Sequence, residues 1–137
     1  MSTAEQHLEI LAKHLDFEHS RILDIGSGGG ELSLALSHEG AKVTGIECSR
    51  DQMKRAIARQ GKECNFMFSV GENLPFRDSR FDATVFFNSI HHIPEDSIEI
   101  AISEAISVTK SGGLSMWQNP WQREHVLNWI HRWKMKP

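Results

Sequence analysis

Cysteine is scarce in this chain of 137 residues: there are two, Cys48 and Cys64, far apart and in no Cys-x-x-Cys pair. That excludes a disulfide framework and a thiolate zinc site, and it fits a reducing cytoplasm. Of the eight histidines only His91 and His92 are adjacent, and chain neighbours seldom aim at one metal, so no metal centre is expected. A basic excess is also missing. Fifteen Lys and Arg face eighteen Asp and Glu, a net charge of −3. A dedicated nucleic-acid binder normally carries a basic footprint, so no nucleic-acid partner is expected. The polar stretch Met1 to Ile10 holds no secretory h-region, and no apolar run approaches the ~20 residues that span a bilayer. Neither an internal repeat nor a low-complexity segment is present.

What remains is a composition able to bury a core: 39% hydrophobic and 24% charged, in a length natural for one domain. Ala4, Leu8, Leu11 and Leu15 recur at helical spacing. A short apolar strand follows over 21–25, then a helix through Leu32, Ala35 and Leu36 that ends near Gly40. A second strand is expected over 43–46. Ser49 and Gln52 form a capping box for a helix that turns Met53, Ala56 and Ile57 inward. Strands over 64–69 and 81–87 come next, the latter continuously apolar as for a strand covered on both faces. Pro94 opens a helix whose inner face is Ile98, Ala101, Ile102, Ala105 and Ile106, and Leu114 to Trp117 makes a fifth strand. Such alternation predicts an α/β fold: a Rossmann-like parallel sheet of about five strands with helices on both faces. Ligands of these sheets sit at the carboxyl ends of the strands, so residues just after each strand are the candidates.

After the first strand stands Asp24-Ile25-Gly26-Ser27-Gly28-Gly29-Gly30-Glu31. Glycines permit a tight bend and close approach of a ligand to bare backbone. A dinucleotide fingerprint counted from Gly26 would need glycine where Glu31 stands, and the pattern fails. Asp24 would repel a pyrophosphate and suit an ammonium; unit charges in contact are worth roughly 4 kcal/mol at an effective dielectric of ~20. Glu47, ending the second strand, can accept from both hydroxyls of a ribose. Glu72 either caps local backbone or touches ligand. His91 and His92 orient a loop, with a general-base role the alternative. Phe86 and Phe87 read as core, and Cys48 as a small buried apolar residue.

Taken together, Ile22 to Gly30 resembles motif I of the class I methyltransferases that use S-adenosylmethionine. Gly71-Glu72-Asn73-Leu74-Pro75-Phe76 with Phe81-Asp82, the segment Asn88 to Ile93, and Lys110-Ser111-Gly112-Gly113 resemble the branch containing ubiquinone and menaquinone biosynthesis enzymes. The resemblance implies that Asp24, Gly26, Ser27 and Gly28 line the methionine part of S-adenosylmethionine, and that Glu47 binds ribose. It further implies that Cys48 and Gly71 flank adenine, with Glu72 nearby, and that Asn88 closes the site beside the sulfonium. The family's acid before the Glu72 position is here Val70, which leaves adenine to backbone contacts. The implied activity is methyl transfer to a small-molecule acceptor. The alternative is a cofactor-binding module without turnover of its own.

All four tryptophans lie between Trp117 and Trp133, in a stretch with Arg123, Arg132, Lys134 and Lys136 against Glu124 alone. We therefore divide the chain into a core, 1–116, and a basic tail, 117–137, that lacks the family's usual antiparallel strand pair. The tail reads as a helix over the sheet edge or a partner-binding segment. A third reading is a shifted frame, since back-translation two bases on from Met116 permits Val-Ala-Glu-Pro-Leu-Ala. An open edge at the fifth strand must be covered, paired or left prone to association. The tail tryptophans are the expected cover, and the expected partner is a second copy, in a homodimer through that edge or the Trp-rich tail.

Overall fold

The computed structural model describes residues 2–87, 93–118 and 127–132. Helix α1 (Thr3–Ala12) begins with a reciprocal cap: the Ser2 hydroxyl accepts from the Glu5 N–H, and the Glu5 carboxylate accepts from the Ser2 N–H. Strand β1 (Arg21–Ile25) is followed by α2 (Glu31–His38), β2 (Lys42–Glu47), α3 (Arg50–Ile57), β3 (Cys64–Phe68) and β4 (Phe81–Phe86). Pro94 precedes a 3-10 turn, Glu95–Ser97, which leads into α4 (Ile98–Val108). Strands β5 (Thr109–Gln118) and β6 (Leu127–Arg132) complete the described elements.

The sheet order is β3-β2-β1-β4-β5-β6. The first five strands are mutually parallel, as expected. The chain steps outward from β1 to β3 and returns to the other side of β1 at β4, so the crevice at a topological switch point opens above β1. One side of the sheet packs Leu11, Ile22, Leu36, Phe66 and Val85 into a core with α1, α2 and α3. The other packs Leu23, Ile25, Ile46, Phe81 and Phe86 against Ala101, Ala105 and Val108 of α4. Within α4, Ala101, Ala105 and Val108 are the residues pressed fully onto the sheet, while Ile98, Ile102 and Ile106 are half-buried. Ile57 departs from expectation: it is 48% exposed, because α3 ends there and only Met53 and Ala56 reach the core.

The tail departs further. Residues Leu127–Arg132 form a strand antiparallel to β5, not a helix, and the boundary expected after Met116 falls inside β5. An open edge exposes a row of N–H and C=O groups, and a strand is the element that satisfies them. The β5 edge that motivated a homodimer is thus paired within the chain. Among the described residues there is a single antiparallel strand rather than a pair, and no helix is long and apolar enough to cross a membrane.

Beneath the sheet's second face, three buried hydroxyls satisfy one another. Thr84 lies 3.0 Å from both Thr109 and Ser115, and Thr109 donates to the Ala105 carbonyl at 2.6 Å. Thr84→Val keeps the shape and leaves partners unmatched, so urea denaturation should record a loss of about 1–3 kcal/mol. An unchanged midpoint would show that the hydroxyls bond adequately without Thr84.

Candidate functional site

The site begins with backbone. Gly26, Gly28 and Gly30 take left-handed φ values of 73°, 58° and 89°, alternating with ordinary residues, so the loop curls and turns its N–H groups inward. Gly26 and Ser27 donate to the Ile46 carbonyl at 2.8 and 2.9 Å. Gly28 donates to Glu47 Oε1 at 2.9 Å, while Glu47 Oε2 accepts from the N–H groups of Cys48 and Ser49 at 2.8 and 2.7 Å. One carboxylate therefore joins the β1 loop to the start of α3. It also takes an N–H that a phosphate cradled in the loop would need.

Asp24 lies on the face of β1 that looks toward α2, 2% exposed, and accepts from the Ser33 hydroxyl at 2.8 Å. Burial pushes its pKa up to about 6; the Ser33 bond opposes this, and the charges of Glu47 and Glu31 add to it. No ion pair reaches Asp24 among the described residues. A buried carboxylate in this state is short of a cation. Glu31 differs. It faces Arg59 at 3.0 Å and Arg55 at 3.7 Å, and Arg59 also donates to the Gly29 carbonyl at 3.1 Å. Partial burial pushes against its ionisation, but backbone and the two arginines hold it below the usual carboxylate value. Its charge is matched by Arg55 of α3 and by Arg59 just beyond it, which leaves Asp24 as the unmatched acid of the pair.

Asp24, Gly26, Ser27, Gly28, Glu47, Cys48, Gly71 and Glu72 all line one cavity of about 950 Å³. Asn88, His91 and His92 lie outside the described residues. Cys48 is exposed rather than buried, since it follows the last residue of β2 and sits at the cavity rim. Burial and the neighbouring Glu47 raise its thiol pKa. Phe87 belongs to the core, at 4% exposure, and lines the cavity as well.

Two contributors were missed in the sequence. The first turns of α1 supply Ser2, Thr3, Ala4 and His7 to the cavity wall. His7, 3% exposed, stacks on Phe87 with ring centroids 4.0 Å apart. Its signal was a polar residue four positions before Leu11, on a face otherwise apolar. Gln52, in the first turn of α3, lines the cavity and keeps its Oε1 buried without a hydrogen-bond partner. Val70 also lines the cavity, with no acceptor on its side chain.

Comparison with known proteins adds a family to this geometry. The profile of a methyltransferase domain matches residues 22–113. An uncharacterized methyltransferase of Staphylococcus carnosus is 33% identical over 107 residues, covering 77% of this chain and 50% of that one. A ubiquinone biosynthesis O-methyltransferase of Alkalilimnicola ehrlichii is 30% identical over 100 residues, covering 70% of this chain and 40% of its own length. The crystal structure of an S-adenosylmethionine-dependent methyltransferase from Thermotoga maritima superposes with a TM-score of 0.67 at 26% identity, covering 83% of this chain and 50% of that one. The chain thus spans about half the length of the relatives it matches.

Proposed function

We infer function from one premise: this chain belongs to the class I S-adenosylmethionine-dependent methyltransferase family. On that premise the cavity above β1 binds S-adenosylmethionine, and the chain transfers its methyl group to a small acceptor. The observation that carries the reading is Asp24, a buried carboxylate without a cation, beside a loop whose Gly28 N–H is already given to Glu47. That pair suits a ligand with an ammonium group and no phosphate.

Asp24 would hold the ammonium, with the curled backbone of Gly26 to Gly28 beneath the amino-acid part. Glu47 has lone pairs left beyond its three backbone bonds and would accept from the ribose. Cys48 and Gly71 would flank adenine, with Gln52 Oε1 a free acceptor nearby and Glu72 at the rim. When bound, S-adenosylmethionine supplies a methyl group already activated on a sulfonium. The chain's task is therefore to align two partners and to keep water out. The stacked His7 and Phe87 close the wall under α1.

Calorimetric titration with S-adenosylhomocysteine tests the reading. Glu47→Ala should weaken binding about tenfold or more, since hydrogen bonds to a charged acceptor are worth ~1.5–3 kcal/mol. Equal affinities would remove Glu47 from the site, and NADH binding in place of the nucleoside would remove the cofactor assignment. A second reading, cofactor binding without turnover, is favoured by the span of about half the relatives' length. A methyl-transfer screen separates the two: binding with no product over a broad acceptor panel supports the second.

A further inference from the structure

The opposite end of the sheet carries its own chemistry. Four neighbouring parallel strands each begin with, or directly follow, a short stretch containing a basic residue: Lys62 before β3, Lys42 in β2, Arg21 in β1 and Arg80 before β4. Register places Arg21 beside Lys42, and Val43 beside Cys64, so these positions share one end of the sheet. All four basic residues line a second cavity, of about 270 Å³, together with Thr44 and Asn65 as neutral donors and Glu63 as the one acid. None of the four takes part in an ion pair among the described residues. Asp82, also at this end, is engaged by the Arg21 N–H and by Lys110.

Arg80 is the anchor. Its guanidinium lies 5.3 Å from the centre of the Phe81 ring, and its Nη1 is buried with no hydrogen-bond partner. Partial burial, then the charges of Arg21 and Arg77, lower its pKa, so the cation sits beside like charges. A chain with net charge −3 has acids enough to neutralise such a cluster, yet it gathers Asp24, Glu31, Glu47 and Glu72 at the far cavity. Within the second cavity four cations face Glu63 as the one lining acid, an excess of positive charge that an anion would match.

We propose that this amino-end cavity binds a small oxyanion of phosphate type, a phosphate monoester or a diphosphate, held by Arg80 with Arg21, Lys42 and Lys62. The chemistry matches: a planar guanidinium presents paired donors to a tetrahedral oxyanion, and ammonium groups add charge. The size also discriminates. A cavity slightly below the ~300–1,000 Å³ usual for drug-sized ligands takes a phosphate or diphosphate group, not a whole nucleotide. This site is independent of methyl transfer and lies on the other end of the strands from Asp24.

The test is calorimetry on the full chain with inorganic phosphate, pyrophosphate and glycerol phosphate, at ionic strength held constant with sodium chloride. We expect saturable binding of at least one of them. The first two report a free oxyanion and the third a phosphate ester. Arg80→Gln should weaken the response about tenfold or more, and S-adenosylhomocysteine affinity should stay at the wild-type value. Lys62→Gln, at an exposed position, provides the same reading should Arg80→Gln fold poorly. No saturable heat beyond the chloride-matched blank overturns the proposal. So does undiminished binding in both variants, and so does binding of an oligonucleotide with no response to any small oxyanion.

Discussion

Asp24→Asn should weaken S-adenosylhomocysteine binding by about ten- to a hundredfold and, in the same protein, raise the melting temperature. The two effects have one cause. The carboxylate is 2% exposed and its pKa is pushed from 3.8 up to about 6, so ionising it in the fold costs on the order of 3 kcal/mol relative to the unfolded chain. Asparagine keeps the volume and an acceptor for Ser33 while removing the charge. The pH dependence has a definite sign. A folded-state pKa above the unfolded value means that the folded chain binds the proton more tightly. This group's contribution to stability is therefore fully present below about 3.8, falls as pH rises toward about 6, and is absent above that. Affinity for a cationic ligand runs the other way, increasing as pH rises through about 6. Paired calorimetry and thermal denaturation across that window check both slopes. A variant that binds as the wild type does would mean that Asp24 faces no cation.

Gly30→Ala should cost about 2–5 kcal/mol, a large share of the 5–15 kcal/mol typical of a domain. Part of this is backbone: a φ of 89° is strained for any residue with a side chain, at about 1–2 kcal/mol. The rest is steric. A Cβ at Gly30 would stand 2.7 Å from Phe66 Cζ, and one at Gly45 would stand 2.6 Å from Phe66 Cδ1. Phe66 is thus wedged in a notch between two glycines, where overpacking costs ~1–3 kcal/mol. Urea denaturation in a Phe66→Leu background separates the parts, because the smaller side chain relieves the clash and leaves the φ strain. A loss below 1 kcal/mol, or one that Phe66→Leu does not reduce, would contradict this packing.

The same residues show which features local sequence could carry. Arg21–Ile25 was legible to the residue, because an apolar run ending in a glycine cluster has one local solution. The cavity at the carboxyl ends followed from topology, which alternation of strand and helix dictates. Gly30 was legible as a loop residue but not as one wall of the Phe66 notch, since that requires knowing that β2 and β3 are neighbours. His7 and Gln52 escaped for the same reason: each reaches the cavity only after a helix has packed. The strand Leu127–Arg132 escaped because its partner supplies the reason for it to be a strand. Glu31 was legible only as the residue that breaks a dinucleotide fingerprint, and only the fold brings Arg55 and Arg59 to pair with it.

Glu47 has one more effect, on the timing of events. By tying Gly28 to Cys48 and Ser49, it has the bend ordered as soon as β1 and β2 pair. The conformational entropy of a loop with glycine at four of the seven positions from Asp24 to Gly30 is therefore spent in folding and not charged against the ligand. A ligand of the proposed kind would meet a bend already formed, and rearrangement of that bend should not slow its capture.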